Sequence, residues 1–362
     1  MNLLDYLATE FAPFDEKPFN PVDSAVLSQF CMVRAEGVVP ALRERSSFLD
    51  LGTIVENLLS PARSAVRFAD ALRAELYPSM FTGLDPHRVK ENLLALAASP
   101  RFRDMRVRDY LSLFDTDRQT QFAAMTFVHR KDFAYVGFRG TDTSFTGWRE
   151  NFNMAYTAPV PAQEQAARYL QAVAPRAPKR VYVGGHSKGG NLAAYAGMFV
   201  DEATRARIQT VYNFDGPGFN EATISSEAFG KVDMRIRTFV PQSSMIGILM
   251  WHREPFTIVR SNGVGVFQHD AYTWQILGGG FMTLTERTGH SHFADDTIKR
   301  WLEELSPDMR RQAIDGIYAV LSASGGMNVS ELFEARNTMS VLKAAGAMDE
   351  KTKSAVLEAF RL

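Results

Sequence analysis

The sequence holds a single cysteine, Cys31, in 362 residues, which excludes an intrachain disulfide and fits a reducing compartment. It has no uninterrupted apolar run near the roughly 18 residues that a membrane-spanning helix requires. The opening stretch, "MNLLDYLATEFAPFDE", has no basic segment, and acids break its apolar residues too early for a secretory signal. Neither sign of charge dominates: 40 Lys and Arg face 41 Asp and Glu, a formal net charge of -1. With no long basic run, that balance argues against a nucleic-acid partner. No internal repeat or low-complexity linker divides the chain. The expectation is a cytoplasmic protein with no transmembrane segment, and nothing in the residues fixes its oligomeric state.

What is present is an ordinary globular composition, 46% hydrophobic and 22% charged, in a chain long enough to bury a core without disulfides or a structural metal. Up to about Phe114 the pattern reads as mostly helical. "SAVLSQFCMVRAEG" follows a cap at Asp23 or Ser24, and "SPARSAVRFADALRAELYP" has the helical spacing Val66, Ala69, Leu72. The period then changes. Met125–Val128 and Phe133–Phe138 are apolar runs around "HRKD", a hairpin signal.

Beyond the hairpin, helical patterns ("EQAARYLQAVA", "GGNLAAYAGMFVDEATRAR") alternate with apolar strands ("RVYVGG", "QTVYNFDGPG", "RIRTFVP", "FTIVRSNG"). Continuously apolar strands between helices imply an α/β protein, a mainly parallel sheet flanked by helices. "DDTIKRWLEEL" and residues 308–322 return to helix. We expect a single domain over 1–362, with its core at about 20–305 and a helical C-terminal extension at about 306–362.

"VYVGGHSKGGNLAAYAG" places Ser187 between Gly185 and Gly189, after a buried strand and before a helix. A Gly-x-Ser-x-Gly match alone arises by chance in about one chain in ten of this length. The strand–turn–helix setting is what a nucleophile elbow requires. Such a turn strains the serine backbone, and glycines on both sides give strand and helix clearance. It exposes the hydroxyl and sets the Lys188 N–H at a helix N-terminus, where a developing oxyanion is held. The competing account is a glycine-rich turn with Ser187 as helix N-cap. His186, beside the nucleophile, points away from it and reads as a structural histidine under the elbow.

"FRGTDTSFTGWREN", followed by "GGHSKGGNLA", "FDGPGF", "FVPQSS" and "QHDAYTWQ", resembles the Mbeg-like α/β-hydrolase family of bacteria, which is similar to the class 3, fungal-type lipases. The resemblance runs from roughly Asn20 to Leu305. It implies an α/β-hydrolase fold and serine-hydrolase chemistry, and leaves the substrate open. By the resemblance, Thr141 is the first oxyanion-hole residue and Lys188 N–H the second donor. "SFTGWRENFNMAY" would then be the lid or its equivalent, with Trp148 and Phe152 as its apolar face.

The order nucleophile, acid, base leaves His252, His269, His290 and His292 downstream of Ser187. The resemblance favours His269, in a loop over the elbow. His290 and His292 lie at i,i+2 without a carboxylate or cysteine cluster, so no metal site and no cofactor is expected. The lipase-like pattern carries its aspartate after the strand "RIRTFVP", where this chain has Gln242, Ser243 and Ser244. Neither serine stabilises an imidazolium as a carboxylate does. Asp215, one strand earlier, is preferred. A Ser-His dyad oriented by Ser243 or Ser244 comes second and Asp270 third, while Asp215 in "DGPG" also suits a plain turn.

The apolar block Met245–Trp251 is a candidate acyl pocket for an ester or lipid-like small molecule. Lys188 has two accounts, a solvated or ion-paired side chain, or a contact with an anionic substrate group or a lid carboxylate such as Glu150. The functional expectation is a lipase-like carboxylic-ester hydrolase. The alternative is a non-catalytic hydrolase-fold protein that binds a ligand or a partner.

Overall fold

The structure, a computed structural model, describes residues 1–43, 65–82, 85–142, 144–154, 157–304, 308–309, 311–312 and 315–316. The chain begins with helices α1 (Leu3–Thr9), α2 (Pro21–Phe30) and α3 (Pro86–Ala98). Strands β1 (Val66–Arg67), β2 (Arg106–Asp115), β3 (Thr120–His129) and β4 (Phe133–Phe138) pair antiparallel in succession. From β4 the sheet becomes parallel through β5 (Arg180–His186), β6 (Ile208–Phe214), β7 (Ile236–Pro241) and β8 (Phe256–Val259). A ribbon of β9 (Ile276–Leu277) and β10 (Gly280–Phe281) stands apart, and β11 (Thr283–Leu284) pairs antiparallel with β8. The longer helices after β4 are α4 (Phe145–Asn153), α5 (Pro161–Val173), α6 (Lys188–Phe199) and α7 (Gly289–Glu304). Single-turn helices lie at Tyr77–Met80, Glu202–Arg205, Glu221–Ile224 and Glu227–Gly230.

The parallel strands lie in chain order. Crossovers of one hand between sequential neighbours put their helices on one face. That face is packed by α5 and α6, whose Ala166, Leu170, Leu192 and Ala196 meet Val136, Val183 and Val211. The opposite face is covered by chain from elsewhere. Leu3, Tyr6, Val26, Phe30 and Leu93 of α1–α3 close over Met125, Phe127, Tyr135 and Phe214. Leu3, Tyr6, Leu7, Phe14 and Phe19, all before Asn20, belong to this hydrophobic cluster.

The hairpin and the α/β alternation match the sequence reading, and three details differ. The helix at Asp23 or Ser24 begins earlier: Asn20 is the cap, accepting the Val22 and Asp23 N–H groups, and Asp23 returns a bond to Asn20 N–H. The described part of the helix expected through Val66, Ala69 and Leu72 is instead strand β1 followed by short 3₁₀ turns, because Val66 finds its partner Val107 on β2.

That strand is the third difference, since the region to Phe114 reads as helical. A register shift between Arg108 and Leu111, with Asp109 at φ 57°, breaks the alternation that would reveal β2. The expected extension at 306–362 falls largely outside the described residues. No helix among those described is long and apolar enough to cross a membrane.

Candidate active site

β5 ends at His186, and α6 begins at Lys188, so Ser187 alone makes the turn. Its backbone sits at φ 58°, ψ -132°, a region that costs a non-glycine residue on the order of 1–3 kcal/mol. The glycines beside it are required by clearance. A Cβ at Gly185 would run into the Gly189 carbonyl, and one at Gly189 into the Phe138 carbonyl oxygen. Ser187 N–H donates to Phe214 O at 2.9 Å, which anchors the turn to the neighbouring strand. Its side chain makes no capping bond to α6, so the N-cap account of this serine does not hold.

Asp215 follows β6, the strand beside β5. It is fully buried, at φ 50°, with its N–H bonded to Phe239 O at 2.8 Å. The turn hydrogen bond that "DGPG" suggested for it belongs to Asn213, whose Oδ1 accepts the Gly216 N–H at 2.9 Å. The Asp215 carboxylate is thereby released for other partners. Oδ2 lies 2.7 Å from His269 Nδ1, and Oδ1 accepts from Ser244 Oγ at 2.5 Å and from Gly247 N–H at 3.1 Å.

His269 ends a 3₁₀ turn, Gly265–His269. Its carbonyl accepts a 2.7 Å bond from His186 Nε2, and the two rings lie 4.6 Å apart. Burial, with the adjacent His269, pushes His186 down to about 3, so His186 is neutral at neutral pH and donates from Nε2. A carboxylate at His269 Nδ1 holds the proton on that nitrogen and leaves Nε2 as the acceptor. The loop is braced further: Gln268 Oε1 accepts Ser243 N–H at 2.9 Å, and Ser243 Oγ meets Thr288 Oγ1 at 3.0 Å. Ser244 O accepts from Ser291 Oγ at 2.7 Å.

Asp270 does not share this imidazole. Its carboxylate pairs with Arg88 and caps Tyr272 N–H at 3.0 Å. Ser243 is likewise engaged away from the imidazole, and Ser244 reaches it only through Asp215. His290 and His292 are exposed on the first turn of α7, and His252 pairs with Glu254 at 3.0 Å.

Thr141 follows β4, the other neighbour of β5, and its Oγ1 accepts from Asn151 Nδ2 at 2.6 Å. Lys188 opens α6, where first-turn N–H groups lack intrahelical partners. Its ammonium is neither solvated nor open to a substrate. The side chain is fully buried and pairs with Glu150 Oε2 at 2.9 Å, so it is ion-paired, with the carboxylate that the sequence offered as its partner. Burial pushes the Lys188 pKa down despite that partner. The segment expected as the lid is α4, on which Trp148 and Phe152 are half-buried with ring centroids 6.3 Å apart.

The block expected to line an acyl pocket is mostly packed: Ile248 and Met250 are buried, while Met245 is exposed. Sequence reasoning missed the three open apolar side chains on the turn that carries His269, namely Val264, Val266 and Phe267. Their signal is present, as apolar residues in a short glycine-bounded loop. Two grooves of about 800 and 320 Å³ lie instead near the start of β5. Lys179, Arg180 and Arg207 line the first, and Arg106, Arg130 and Lys131 line the second.

A mainly parallel sheet flanked by helices, with a strained serine at the turn from a central strand into a helix, is an α/β-hydrolase fold. Within that class the chain belongs to the Mbeg1-like family, which it matches over residues 96–319. The match starts well after Asn20, so α1 and α2 precede it. Among solved structures the chain is similar to M37 lipase, at 10% identity and TM-score 0.35, covering 62% of this chain and 68% of that one. It is also similar to the Rhizomucor miehei lipase in its propeptide complex, at 14% identity and TM-score 0.35, covering 70% and 79%. No functionally curated protein matches the sequence.

Proposed function

We propose that the chain is a serine hydrolase of carboxylic esters, acting through Ser187, His269 and Asp215. One observation carries the reading: a buried carboxylate 2.7 Å from His269 Nδ1, on the strand end beside a strained serine whose side chain does not cap its helix. Asp215 holds His269 with the proton on Nδ1 and stabilises the imidazolium that forms. His269 Nε2 takes the Ser187 proton as Oγ attacks the ester carbonyl. The Thr141 and Lys188 N–H groups receive the oxyanion, and His269 returns its proton to the leaving alcohol. Water, activated by the same imidazole, then releases the acyl group.

The exposed Val264, Val266 and Phe267 beside His269 support an apolar acyl chain, hence a lipid-like ester. The non-catalytic alternative rests on the absence of an acid after β7, and the 2.7 Å contact between Asp215 and His269 Nδ1 supports the enzymatic reading over it. Labelling with a fluorophosphonate probe tests the choice. Covalent modification that disappears in Ser187→Ala is expected, and folded protein that takes no label would refute the enzymatic reading.

A further inference from the structure

A cation at the start of α6 works against the helix dipole, yet Lys188 is fully buried there. Complete pairing stabilises it. Nζ donates to the Gln121 carbonyl at 2.5 Å, to Gln121 Oε1 at 2.8 Å and to Glu150 Oε2 at 2.9 Å, one acceptor for each ammonium proton. Glu150, equally buried, is satisfied too. Its Oε2 also accepts Gln121 N–H at 3.0 Å, and its Oε1 accepts Ala162 N–H at 3.0 Å. Ala162 lies in the first turn of α5, whose cap residue Val160 makes no side-chain cap bond, so the carboxylate fills that place. One ion pair thus ties together α4, α5, α6 and β3.

Such a pair is a poor device for stability alone, since apolar residues of similar volume often do as well or better. Its neighbours give it a second use. The residue after Glu150 is Asn151, which holds the Thr141 hydroxyl at 2.6 Å. Consecutive residues of α4 therefore grip the two residues assigned to the oxyanion hole, Lys188 and Thr141. Donors in such a hole act only if they are fixed before the charge develops.

We propose that Glu150 and Lys188 are positioning residues, whose ion pair locks α4 onto the start of α6 and sets the spacing of the Thr141 and Lys188 N–H groups. The proposal rests on the hydrolase reading above. It makes α4 a fixed buttress of the site in place of a moving lid.

The test is the pair of singles Lys188→Met and Glu150→Gln with their double variant, in which both buried charges are gone. Turnover of p-nitrophenyl butyrate gives kcat and KM. Affinity for phenylboronic acid, which forms a tetrahedral adduct on the serine, reports the oxyanion donors separately. The folded double variant should keep KM within about 3-fold and lose on the order of 100-fold in kcat, with a matching loss of boronate affinity. Wild-type kcat and boronate affinity in that variant would overturn the proposal.

If the buried variants do not fold, Asn151→Ala, half-buried and uncharged, should give the same kcat-only loss, and an unchanged kcat there is equally fatal. Arg101→Met is the control. It breaks another fully buried pair, with Asp23 at 2.6 Å, and should lower Tm while sparing kcat. A wild-type protein that neither turns over esters nor takes the fluorophosphonate removes the hydrolase reading and this proposal together. Turnover in the wild type with an unaffected double variant removes this proposal alone.

Discussion

Ser244 Oγ donates a 2.5 Å hydrogen bond to Asp215 Oδ1. A residue standing where the lipase-like pattern has its acid thus serves an acid one strand away. In the proposed triad the carboxylate stands one strand before the place the lipase-like pattern gives it, and the residue at that place donates to it.

Two aspartate variants should separate cleanly. Asp215→Asn tolerates the positive φ but loses the charge beside His269 Nδ1, and ester turnover should fall about 10³–10⁴-fold. Asp270→Asn should change turnover by no more than a few-fold, because its carboxylate faces Arg88 and the Tyr272 N–H. Steady-state kinetics on the same ester decides it, and equal losses would reverse the assignment.

Ser244→Ala removes one of the two donors on Asp215 Oδ1 and leaves the Gly247 N–H at 3.1 Å. A buried acceptor short of one partner costs about 1–3 kcal/mol. Urea denaturation should register that loss, and kcat/KM should drop roughly 10-fold as Asp215 gains freedom. An unchanged kcat/KM would mean that the hydroxyl only fills space.

Stability should depend on pH through His186. Folded, it stays neutral down to about 3, against an ordinary value of 6.5, so between those values the unfolded chain binds one more proton than the folded one. Stability from this group is complete above pH 6.5 and is lost as pH falls toward 3, with a slope of at most about 1.4 kcal/mol per pH unit. His186→Gln keeps an N–H donor for His269 O and removes the titration. Its Tm should fall less steeply over this window than that of the wild type.

The apolar turn beside His269 makes a prediction about substrate length. Phe267→Ser should leave p-nitrophenyl acetate hydrolysis within about 2-fold and reduce octanoate hydrolysis about 10-fold, the range expected for losing apolar contact with a bound chain. Parallel losses on both esters would detach this turn from acyl recognition.

Much of this arrangement is legible in the sequence, for identifiable reasons. The parallel strands announce themselves as continuous apolar runs such as Val181–Val183, because both faces of the sheet are covered. Ser187 is legible from its glycines and the strand–helix change of period. The link between Asp215 and His269 is legible only as one of three options. Choosing among them needs two contacts that no local pattern records, Asn213 making the turn bond and Ser244 turning back to Asp215.

Strand β2 is hidden because its slip at Asp109 disturbs the two-residue period. Lys188 is legible as an anomaly, a cation at the wrong end of a helix. Its partner Glu150, 38 residues earlier, is nameable from the sequence but not distinguishable there from a substrate anion.

The way the sheet's second face is covered has a consequence for biosynthesis. Helices α1 and α2 pack on strands that the ribosome delivers much later, and the Met1 carbonyl accepts its 2.8 Å bond from the N–H of Ile276. Contacts so distant in sequence are slow to close. Until β3–β6 have been made, Leu3, Tyr6, Val26 and Phe30 lack the sheet residues they pack against, Met125, Phe127, Tyr135 and Phe214. Apolar surface on α1 and α2 therefore stays uncovered until strands much later in the chain are in place, and a partly folded chain of this kind is prone to aggregate.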